Sequence, residues 1–447
     1  MKKLVYFMVA SVFLGAQIFA VDIGIAKLSL YRISIALSVF FLLIAFIRND
    51  RTIKIYPNDI ATKYVSFFGV WLAYSILSVM WATSLSGWVK GNYFIGIGFL
   101  AILLIHLFIH TKADLLTLFK IVAGASLLHN VIGWTEILTG NYRFADLAKL
   151  DKYGTFTTQP GSRIPISIFA NQNDYATLIL ASMFFVYLLL KVEKDYKRKS
   201  FYFVLLISSM YLIIRTDSRA NLLALFLGLA FMVALKLKDL LSKRQIIGIA
   251  TFGFLVVVVG LLFVPAFQQL GYKVASLLLD TTNEQGDSNN TRLNLIYNGF
   301  VFLAQTFGFG VGSGNIEYWM ENNAFFNIST KYNMHNWWME ILTGYGIFIF
   351  IGYVILFILM LNQLARVYQN SSDAFIKQTA FVLFGYLGAF ILSSISSASN
   401  LIIEWQWVIF GIIIAFCGYA NNVKEKTYEN RRQQRFNLEM YIGGQNG

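Results

Sequence analysis

The sequence predicts an all-α integral membrane protein with about twelve transmembrane helices. Hydrophobic residues make up 57% of the 447 residues, the mean hydropathy is +0.61 and only 13% of residues are charged. This composition leaves too little polar surface to cover a water-soluble domain of such length. Apolar runs long enough to cross a bilayer recur along the chain, and basic residues gather in alternate loops between them.

The apolar runs are counted as spans because each approaches the roughly 17–25 residues that a hydrocarbon core of about 30 Å requires. They lie at about 4–20, 29–47, 63–82, 92–110, 114–138, 173–190, 201–214, 220–235, 246–264, 337–361, 378–396 and 401–419. The seventh is short, and tilting or snorkelling of Arg215 would extend it. The first also resembles a signal peptide, but Ile18 at the −3 position makes a poor cleavage site, so we keep it as a helix.

The basic residues support this count and predict the orientation. They are Lys2 and Lys3; Arg48, Arg51 and Lys54; Lys112; Lys191, Lys194, Lys197, Arg198 and Lys199; Lys236, Lys238, Lys243 and Arg244; Arg366 and Lys377; and Lys424 to Arg435. The positive-inside rule places these loops and both termini in the cytoplasm. The net charge of +13 is then explained by loops held against anionic lipid, and no nucleic-acid partner is expected.

We expect a single polytopic membrane domain over 1–447, because no repeat or low-complexity linker is visible. Its last part, 420–447, is predicted to be a basic cytoplasmic tail. Two polar segments fall on the external side, at about 140–172 and 265–336. The loop 265–336 is longer than a connector needs to be, and long loops of this kind usually carry function.

One stretch of this external loop has the periodicity of an amphipathic helix. Leu293, Ile296, Phe300 and Leu303 share a helical face directly after Arg292. A helix with such a face is typical of segments that lie in the membrane surface. We therefore expect an amphipathic helix here.

Three arginines, Arg215, Arg219 and Arg292, stand at the predicted outer membrane boundary, where the positive-inside bias disfavours them. Arg215 and Arg219 are four residues apart, so a helix starting in this stretch would place them on one face. Two guanidinium forks side by side suit a diphosphate. The alternative is that Arg215 pairs with Asp217 and that both arginines snorkel to lipid headgroups.

His335 is the one histidine that this topology places at the external surface, where the long loop enters the next helix. Its ordinary pKa near 6.5 suits a general base at neutral pH. His106, His110 and His129 fall within predicted spans, where satisfied polar groups are the simpler interpretation. No pattern of histidines and carboxylates predicts a metal site, and the single cysteine, Cys417, cannot form an intrachain disulfide.

Alternating glycines mark the middle of the external loop, at Gly308, Gly310, Gly312 and Gly314. A dinucleotide site is rejected because neither a preceding strand nor a βαβ unit is present. The glycines instead predict a tight turn that lets backbone approach helix ends or a phosphate.

Eight tryptophans fall toward the external interface in this topology. They are Trp81, Trp88, Trp134, Trp319, Trp337, Trp338, Trp405 and Trp407. We expect most of them to be interfacial anchors. One or two of the rings could stack on sugars.

These motifs, taken in order, resemble the O-antigen ligase and polymerase superfamily of bacterial membrane glycosyltransferases. The resemblance covers about 160–346. It rests on Arg163 with the stretch Phe169 to Ala176, on Ser218-Arg219-Ala220, on Arg292 with Gly308, Gly310 and Gly312, on His335-Asn336, and on Gly344-Tyr345-Gly346. Gln172 stands where the family pattern usually has proline. The flanking helices fit only in number.

The resemblance implies a GT-C-like glycosyltransferase architecture. It also implies transfer of a glycan from an undecaprenyl diphosphate carrier to an acceptor hydroxyl, outside the cytoplasmic membrane and with neither metal nor cofactor. Arg219 and Arg292 would stabilise the diphosphate, and His335 would act as the base or orient the acceptor. Arg215 would also hold the diphosphate, and Arg163, Asn336 and Asn173 would bind the diphosphate or the glycan.

Two functions within the family remain open. A polymerase would extend O-antigen, capsule or exopolysaccharide repeat units, whereas a ligase would use a terminal acceptor such as lipid A core. We favour the polymerase, because a long external loop suits a growing glycan. A chain-length regulator stays open as a further partner, beside the acceptor and membrane lipids.

Other classes are also compatible with twelve helices and two cytoplasmic termini, among them a flippase for lipid-linked oligosaccharides. Such a transporter should show internal repeats and ionisable groups near the bilayer midplane. Here the candidate residues gather at one face instead. A non-catalytic scaffold is the remaining alternative.

The alternating loops predict the outcome of a topology measurement. Reporters fused near Asp151 and near Gln285 should both report an external position, and a reporter near Lys197 should report a cytoplasmic one. Paired phosphatase and fluorescent-protein fusions measure this directly. Opposite signs at these three positions would refute the predicted orientation.

Overall fold

The computed structural model describes residues 1–22, 27–48, 59–145, 147–151, 154–240, 245, 288–329, 332–395 and 400–443, and this part of the chain is almost entirely helical. Its longer helices are α1 (Lys2–Val12), α2 (Leu30–Ile47), α3 (Ile60–Leu77), α4 (Leu85–Phe108), α5 (Lys112–Thr139), α6 (Gln172–Val192), α7 (Tyr196–Arg215), α8 (Arg219–Leu240), α9 (Ser288–Gln305), α10 (Ile316–Asn323), α11 (Trp337–Asn370), α12 (Ala374–Ser393) and α13 (Glu404–Gly443). Two short strands, β1 (Ala20–Asp22) and β2 (Lys27–Ser29), form an antiparallel pair between α1 and α2.

Nine helices in the described ranges are long and apolar enough to cross a membrane, namely α2 to α6, α8 and α11 to α13. They coincide with nine of the predicted spans, so the prediction of an all-α membrane protein is confirmed. The run predicted at 201–214 forms α7, whose first turn carries Lys197, Arg198 and Lys199. The run predicted at 246–264 lies outside the described residues.

The N-terminal run at 4–20 forms a helix that ends earlier than predicted. α1 ends at Val12, and only a single helical turn, Gly15–Ile18, follows it. Gly15 has a φ of 60°, a left-handed conformation that interrupts a regular helix. Val5 and Val9 of α1 are fully buried, and the helix packs against α2 and α5.

An aromatic cluster fills the core between α3, α11 and α13. Trp71, Trp337 and Trp407 are at most 1% exposed, and the rings of Trp71 and Trp407 lie 5.6 Å apart. Trp337 also stacks on Phe410 at 6.0 Å, and Cys417 is buried further along α13. The expectation of interfacial anchors is therefore wrong for Trp337 and Trp407. Hydropathy does not distinguish a helix end that faces protein from one that faces headgroups.

α8 and α12 pack antiparallel at very close range. A Cβ added to Gly228 would lie 2.7 Å from the Gly385 carbonyl oxygen and 2.9 Å from the Ala389 Cβ. A Cβ added to Gly385 would lie 2.6 Å from the sulfur of Met232. Glycine permits this approach because it has no side chain, as at other small-residue contacts between transmembrane helices.

The glycine-rich stretch 308–314 pairs with a break in α11. The break lies at Gly346, which has a φ of 79° and a ψ of 179°. Three backbone hydrogen bonds join the two segments: Val311 N–H to Thr343 O at 2.8 Å, Gly312 N–H to Gly344 O at 3.0 Å, and Ile347 N–H to Gly308 O at 2.9 Å. The glycines thus allow close approach of backbone to a helix end, as predicted.

The turn between α3 and α4 holds the same stretch from its other side. The Tyr74 hydroxyl donates to the Phe309 carbonyl at 2.8 Å, and the Trp81 indole N–H donates to the Gly310 carbonyl at 3.0 Å. The Ser313 N–H donates to the Ser78 hydroxyl at 3.0 Å. The stretch 308–314 is therefore fixed to the helix bundle.

α9 confirms the predicted amphipathic helix, but the buried face differs from the expected one. Leu295, Asn298 and Phe302 are fully buried, whereas Phe300 is 51% exposed. The buried face packs on α10 and α11. The periodicity identified the helix, but the apolar residues on its predicted face are only partly buried against the protein, and Phe300 is exposed.

Replacing Gly310 by alanine should destabilise the protein. Gly310 has a φ of 78°, and a Cβ there would lie 2.5 Å from the Gly346 nitrogen. We expect the free energy of unfolding to fall by about 2 kcal/mol or more, because a left-handed backbone and a backbone clash combine. Thermal unfolding in detergent measures the effect.

Gly124→Ala is the matched control for this change. Gly124 lies within α5, and a Cβ there would meet nothing within 4 Å. Alanine also has the higher helix propensity. Equal melting temperatures for Gly310→Ala and Gly124→Ala would show that the pairing of 308–314 with α11 contributes little stability.

Candidate functional site

A polar network joins the start of α6 to the start of α8. Asn171 caps α6, and its side-chain oxygen accepts hydrogen bonds from the N–H groups of Asn173 and Asp174. The Ser218 hydroxyl donates to the Asn173 side-chain oxygen at 2.8 Å, and the Asn221 amide donates to the Ser218 hydroxyl at 3.0 Å. Asn173 is therefore part of the contact between two helix N-termini.

Arg215 and Arg219 stand on opposite sides of a helix–helix turn. Arg215 is the last residue of α7 and Arg219 is the first of α8, while Asp217 between them has a φ of 53°. The four-residue spacing therefore does not place the two arginines on one helical face. Because α8 starts at Arg219, the side chain of Arg219 lies at the N-terminus of α8, whereas that of Arg215 does not.

The Arg215 guanidinium binds the segment that precedes α6. Its Nη2 group donates to the carbonyls of Gly161 and Arg163 at 2.9 and 2.7 Å. Nη1 lies 3.4 Å from the Tyr211 hydroxyl. Within the described residues Arg215 forms no ion pair with Asp217, so the predicted pairing is not found there.

Arg163 binds the C-terminal end of α5. Its Nη1 group donates to the Leu138 carbonyl at 2.9 Å and to the Ile137 carbonyl at 3.3 Å. Its Nε donates to the Phe156 carbonyl at 2.8 Å. Carbonyls in the last turn of a helix have no partner within the helix, and Arg163 supplies one.

Glu136 holds the same segment and was missed by the sequence reasoning. One carboxylate oxygen accepts hydrogen bonds from the backbone N–H groups of Ile166 and Ser167, at 2.8 and 2.9 Å. Glu136 is fully buried near the end of α5. An acidic residue inside a predicted span was the available signal, since ionisable groups at such positions usually have a defined role.

The histidines other than His335 are satisfied polar groups, as predicted. Nδ1 of His129 lies 2.9 Å from the Ser167 hydroxyl, and Nε2 lies 2.9 Å from the Phe13 carbonyl. Nε2 of His106 lies 3.1 Å from the Thr62 hydroxyl, and Nε2 of His110 lies 2.9 Å from the Leu107 carbonyl.

Arg219 and Arg292 differ from the other two arginines in having available guanidinium groups. Arg219 is exposed, and Arg292 is half-buried in the first turns of α9. Neither guanidinium forms a hydrogen bond or ion pair within the part of the chain that the structure describes. Burial lowers the pKa of Arg292, but arginine remains protonated in proteins. Both groups can therefore receive an anion.

His335 lies two residues before the first residue of α11 and has a φ of 51°. The next residue, Asn336, caps the helix, because its side-chain oxygen accepts from the N–H groups of Trp338 and Met339. The Trp337 N–H donates to the Ser394 carbonyl at 2.9 Å. Left-handed non-glycine residues cost roughly 1–3 kcal/mol and cluster at functional sites.

The N-termini of α8 and α11 lie at the same end of α12. α8 touches α12 at Gly228, and Arg219 lies roughly 14 Å further along the axis at about 1.5 Å per residue. Because the two helices are antiparallel, this direction leads to Ser394, the residue bonded to Trp337. Arg219 and His335 therefore stand at one end of the bundle.

Arg292 lies toward this end as well. α9 runs alongside α11 in the same direction, since Gly299 lies against Met334 and Thr343, and Gly308 is bonded to Ile347. Arg292 is seven residues before Gly299 along α9. Because α9 and α11 run in the same direction, Arg292 lies toward the end of the bundle where α11 starts. Three of the seven predicted site residues thus gather from three different helix beginnings.

The described residues contain no group of three or more histidine, cysteine or acidic side chains suited to a metal ion. The polar side chains identified at this end of the bundle are those of arginine, asparagine and histidine residues. Paired guanidinium groups and helix N-termini both favour a polyanionic ligand.

The nine candidate spans in the described residues define a multi-pass membrane protein. A family model described as O-antigen ligase matches residues 201–354. The teichuronic acid biosynthesis protein TuaE of Bacillus subtilis (strain 168) is 28% identical over 413 residues, which cover 92% of this chain and 83% of the relative. These matches confirm the predicted resemblance to the O-antigen ligase and polymerase superfamily.

The two kinds of arginine should respond differently to mutation. Arg215→Ala removes hydrogen bonds to two backbone carbonyls and should lower the free energy of unfolding by about 1–3 kcal/mol. Arg219→Ala removes an exposed side chain and should change it by less than about 0.5 kcal/mol. Thermal unfolding of both variants tests this difference. An equal loss of stability would contradict the assignment of Arg215 as a structural contact.

Proposed function

We propose that this protein is a membrane glycosyltransferase that moves a glycan from an undecaprenyl diphosphate carrier to an acceptor hydroxyl. The reaction would take place on the extracytoplasmic side of the bacterial cytoplasmic membrane, with both termini in the cytoplasm, and would polymerise surface-polysaccharide repeat units. One observation carries the proposal. The available guanidinium groups of Arg219 and Arg292 lie toward the end of the bundle where His335 precedes the N-cap of α11.

The diphosphate would bind Arg219 and Arg292. Each guanidinium can donate two parallel hydrogen bonds to phosphate oxygens, and the N-terminus of α8 adds the positive end of its helix dipole. Negative charge grows on the diphosphate as the bond to the sugar breaks. Donors fixed in place before the reaction stabilise that charge without reorganising.

His335 would take the proton of the attacking acceptor hydroxyl. The left-handed backbone of His335 and the adjacent N-cap at Asn336 fix the backbone position from which the imidazole side chain extends. The hydroxyl oxygen would form a bond to the anomeric carbon as the carbon–oxygen bond to the diphosphate breaks. Attack opposite the leaving group would invert the anomeric centre, as the resemblance implies. The proposed reaction uses no metal and no cofactor.

Arg163, Arg215, Asn173 and Asn336 would support the substrate from the surrounding segments. Hydrogen bonds already made by Arg163 and Arg215 fix the segment before α6, and each guanidinium retains N–H groups for a ligand. The Asn173 and Asn336 side-chain oxygens are used within the protein, which leaves their amide N–H groups for sugar or phosphate. These four residues would bind substrate rather than take part in bond breaking.

A ligase reaction is the second candidate, and the description of the matched family model favours it. It would use the same donor and the same three residues but a different acceptor. The relative is named as a teichuronic acid biosynthesis protein, which supports a role in polysaccharide synthesis without separating the two reactions.

Reconstitution tests the proposal and separates these outcomes. Purified protein is given a lipid diphosphate-linked repeat unit, with and without a chelator. Longer lipid-linked glycans and free lipid diphosphate are the expected products. Transfer only to an added terminal acceptor would indicate a ligase. Failure to release lipid diphosphate with any matching donor and acceptor would overturn the proposal.

Lysine at the two available arginine positions should impair turnover. Arg219→Lys and Arg292→Lys keep the charge but lose the bidentate fork, so we expect turnover to fall roughly 10- to 100-fold in each. Lys238→Arg, at the other end of α8, is a control for altered basic side chains. Full activity of both lysine variants would move the diphosphate site elsewhere.

His335→Ala should lower turnover by roughly 10²–10⁴-fold while the lipid-linked donor still binds. Binding and turnover are measured on the same folded, detergent-purified variant. His110→Ala, which alters a histidine bonded to its own helix end, is the control. Substantial recovery with His335→Gln, together with a pH–rate profile lacking a limb near the histidine pKa, would indicate that His335 positions the acceptor instead.

A further inference from the structure

A groove with two lysines at its edge lies between the end of α6 and the start of α7, away from the proposed site. Its volume is about 430 Å³, and its lining includes Lys191, Tyr196, Lys199 and Phe203. α6 ends and α7 begins beside this groove, at the end of the bundle opposite to Arg215 and Arg219. The groove therefore lies at the other boundary of the membrane-spanning bundle.

The acidic groups beside this groove are already used within the turn. Asp195 caps α7 by accepting from the Arg198 N–H at 2.9 Å. Glu193 accepts from the N–H groups of Lys194 and Asp195 and lies 3.9 Å from the Arg198 guanidinium. The hydrogen bond from the Asp195 N–H holds the pKa of Glu193 below its ordinary value, so it remains ionised at neutral pH.

The two lysines that line the groove lack such acidic partners. Lys191 and Lys199 form no ion pair within the described ranges, and both are exposed. The Lys191 ammonium lies 5.5 Å from the centre of the Tyr187 ring, which orients it over the groove. Two unneutralised ammonium groups at a membrane boundary attract a phosphate.

The rest of the groove is mainly apolar, and one of its lining residues, Tyr187, also borders a cavity between α6, α7 and α8. Phe203 and Val204 line it and are 55% and 65% exposed. Tyr187 also lines a second cavity of about 340 Å³ between α6, α7 and α8, whose other lining residues include Phe184, Met210 and Leu229. A chain that enters beside Tyr187 therefore has an apolar path below the lysines.

We propose that this groove binds an anionic phospholipid, with its phosphate between Lys191 and Lys199 and one acyl chain passing Tyr187 into the apolar cavity. The charge and the hydrophobic path are both properties of this ligand, whereas a soluble phosphate would use only the lysines. The site is separate from the proposed diphosphate site and does not depend on the proposed reaction.

Lipid binding to the intact chain in detergent tests the headgroup contact. Dioleoyl phosphatidylglycerol and dioleoyl phosphatidylcholine are titrated, and bound lipid is counted by native mass spectrometry. The variant Lys191→Gln/Lys199→Gln should bind phosphatidylglycerol about 10-fold more weakly. The matched control, Lys194→Gln/Lys197→Gln, removes the same charge outside the groove and should lose less than about 2-fold. Equal losses in both variants would indicate diffuse attraction and overturn the proposal.

Met210→Trp tests the acyl path, because the larger side chain would occupy the apolar cavity. This variant should bind dioleoyl phosphatidylglycerol more weakly, whereas its affinity for the short-chain dihexanoyl phosphatidylglycerol should stay unchanged. Undecaprenyl diphosphate is titrated as the competing occupant. One contradicting result is that undecaprenyl diphosphate binding is unchanged in the lysine variants but lost in Met210→Trp. The other is that Met210→Trp leaves the affinity for dioleoyl phosphatidylglycerol unchanged. In either case the cavity does not hold the phospholipid chain. Either result leaves the proposed reaction intact.

Discussion

The backbone pairing between the glycine stretch 308–314 and the break in α11 is the contact on which the arrangement of the candidate site depends. It fixes α9, and therefore Arg292, relative to α11 and His335. The same stretch accepts hydrogen bonds from Tyr74 and Trp81, so α3 and α4 hold it from behind. Backbone groups of an irregular segment need partners at the edge of a membrane, and here a broken helix supplies them.

The segment before α6 is held by charged side chains instead. The Glu136 carboxylate accepts from backbone N–H groups, while Arg163 and Arg215 donate to backbone carbonyls. The hydrogen bonds that the guanidinium groups donate are charge-assisted and therefore stronger than neutral ones. The four arginines therefore differ in their contacts. Arg163 and Arg215 order the segment before α6, whereas the guanidinium groups of Arg219 and Arg292 form no hydrogen bond or ion pair within the described residues.

The sequence predicted the features that depend on periodicity and charge, and it missed those that depend on contacts between distant segments. Apolar runs identified nine helices that the structure describes, and the Ser218-Arg219 motif correctly marked a helix start. The spacing of Arg215 and Arg219 wrongly predicted a shared helical face, because α7 ends at Arg215, α8 begins at Arg219 and a turn lies between them. Trp337 is buried because α3 and α13 cover it, and no local pattern encodes those neighbours.

The burial of Cys417 has a practical consequence for studying motion in this protein. It is the single thiol in the chain, and it lies fully enclosed within α13. A cysteine introduced on an exposed helix beginning would therefore react with a spin label far faster than the native one. Pairs of labels at the starts of α8 and α11 could then report whether these ends approach each other when a lipid-linked substrate is added, with the original sequence otherwise unchanged.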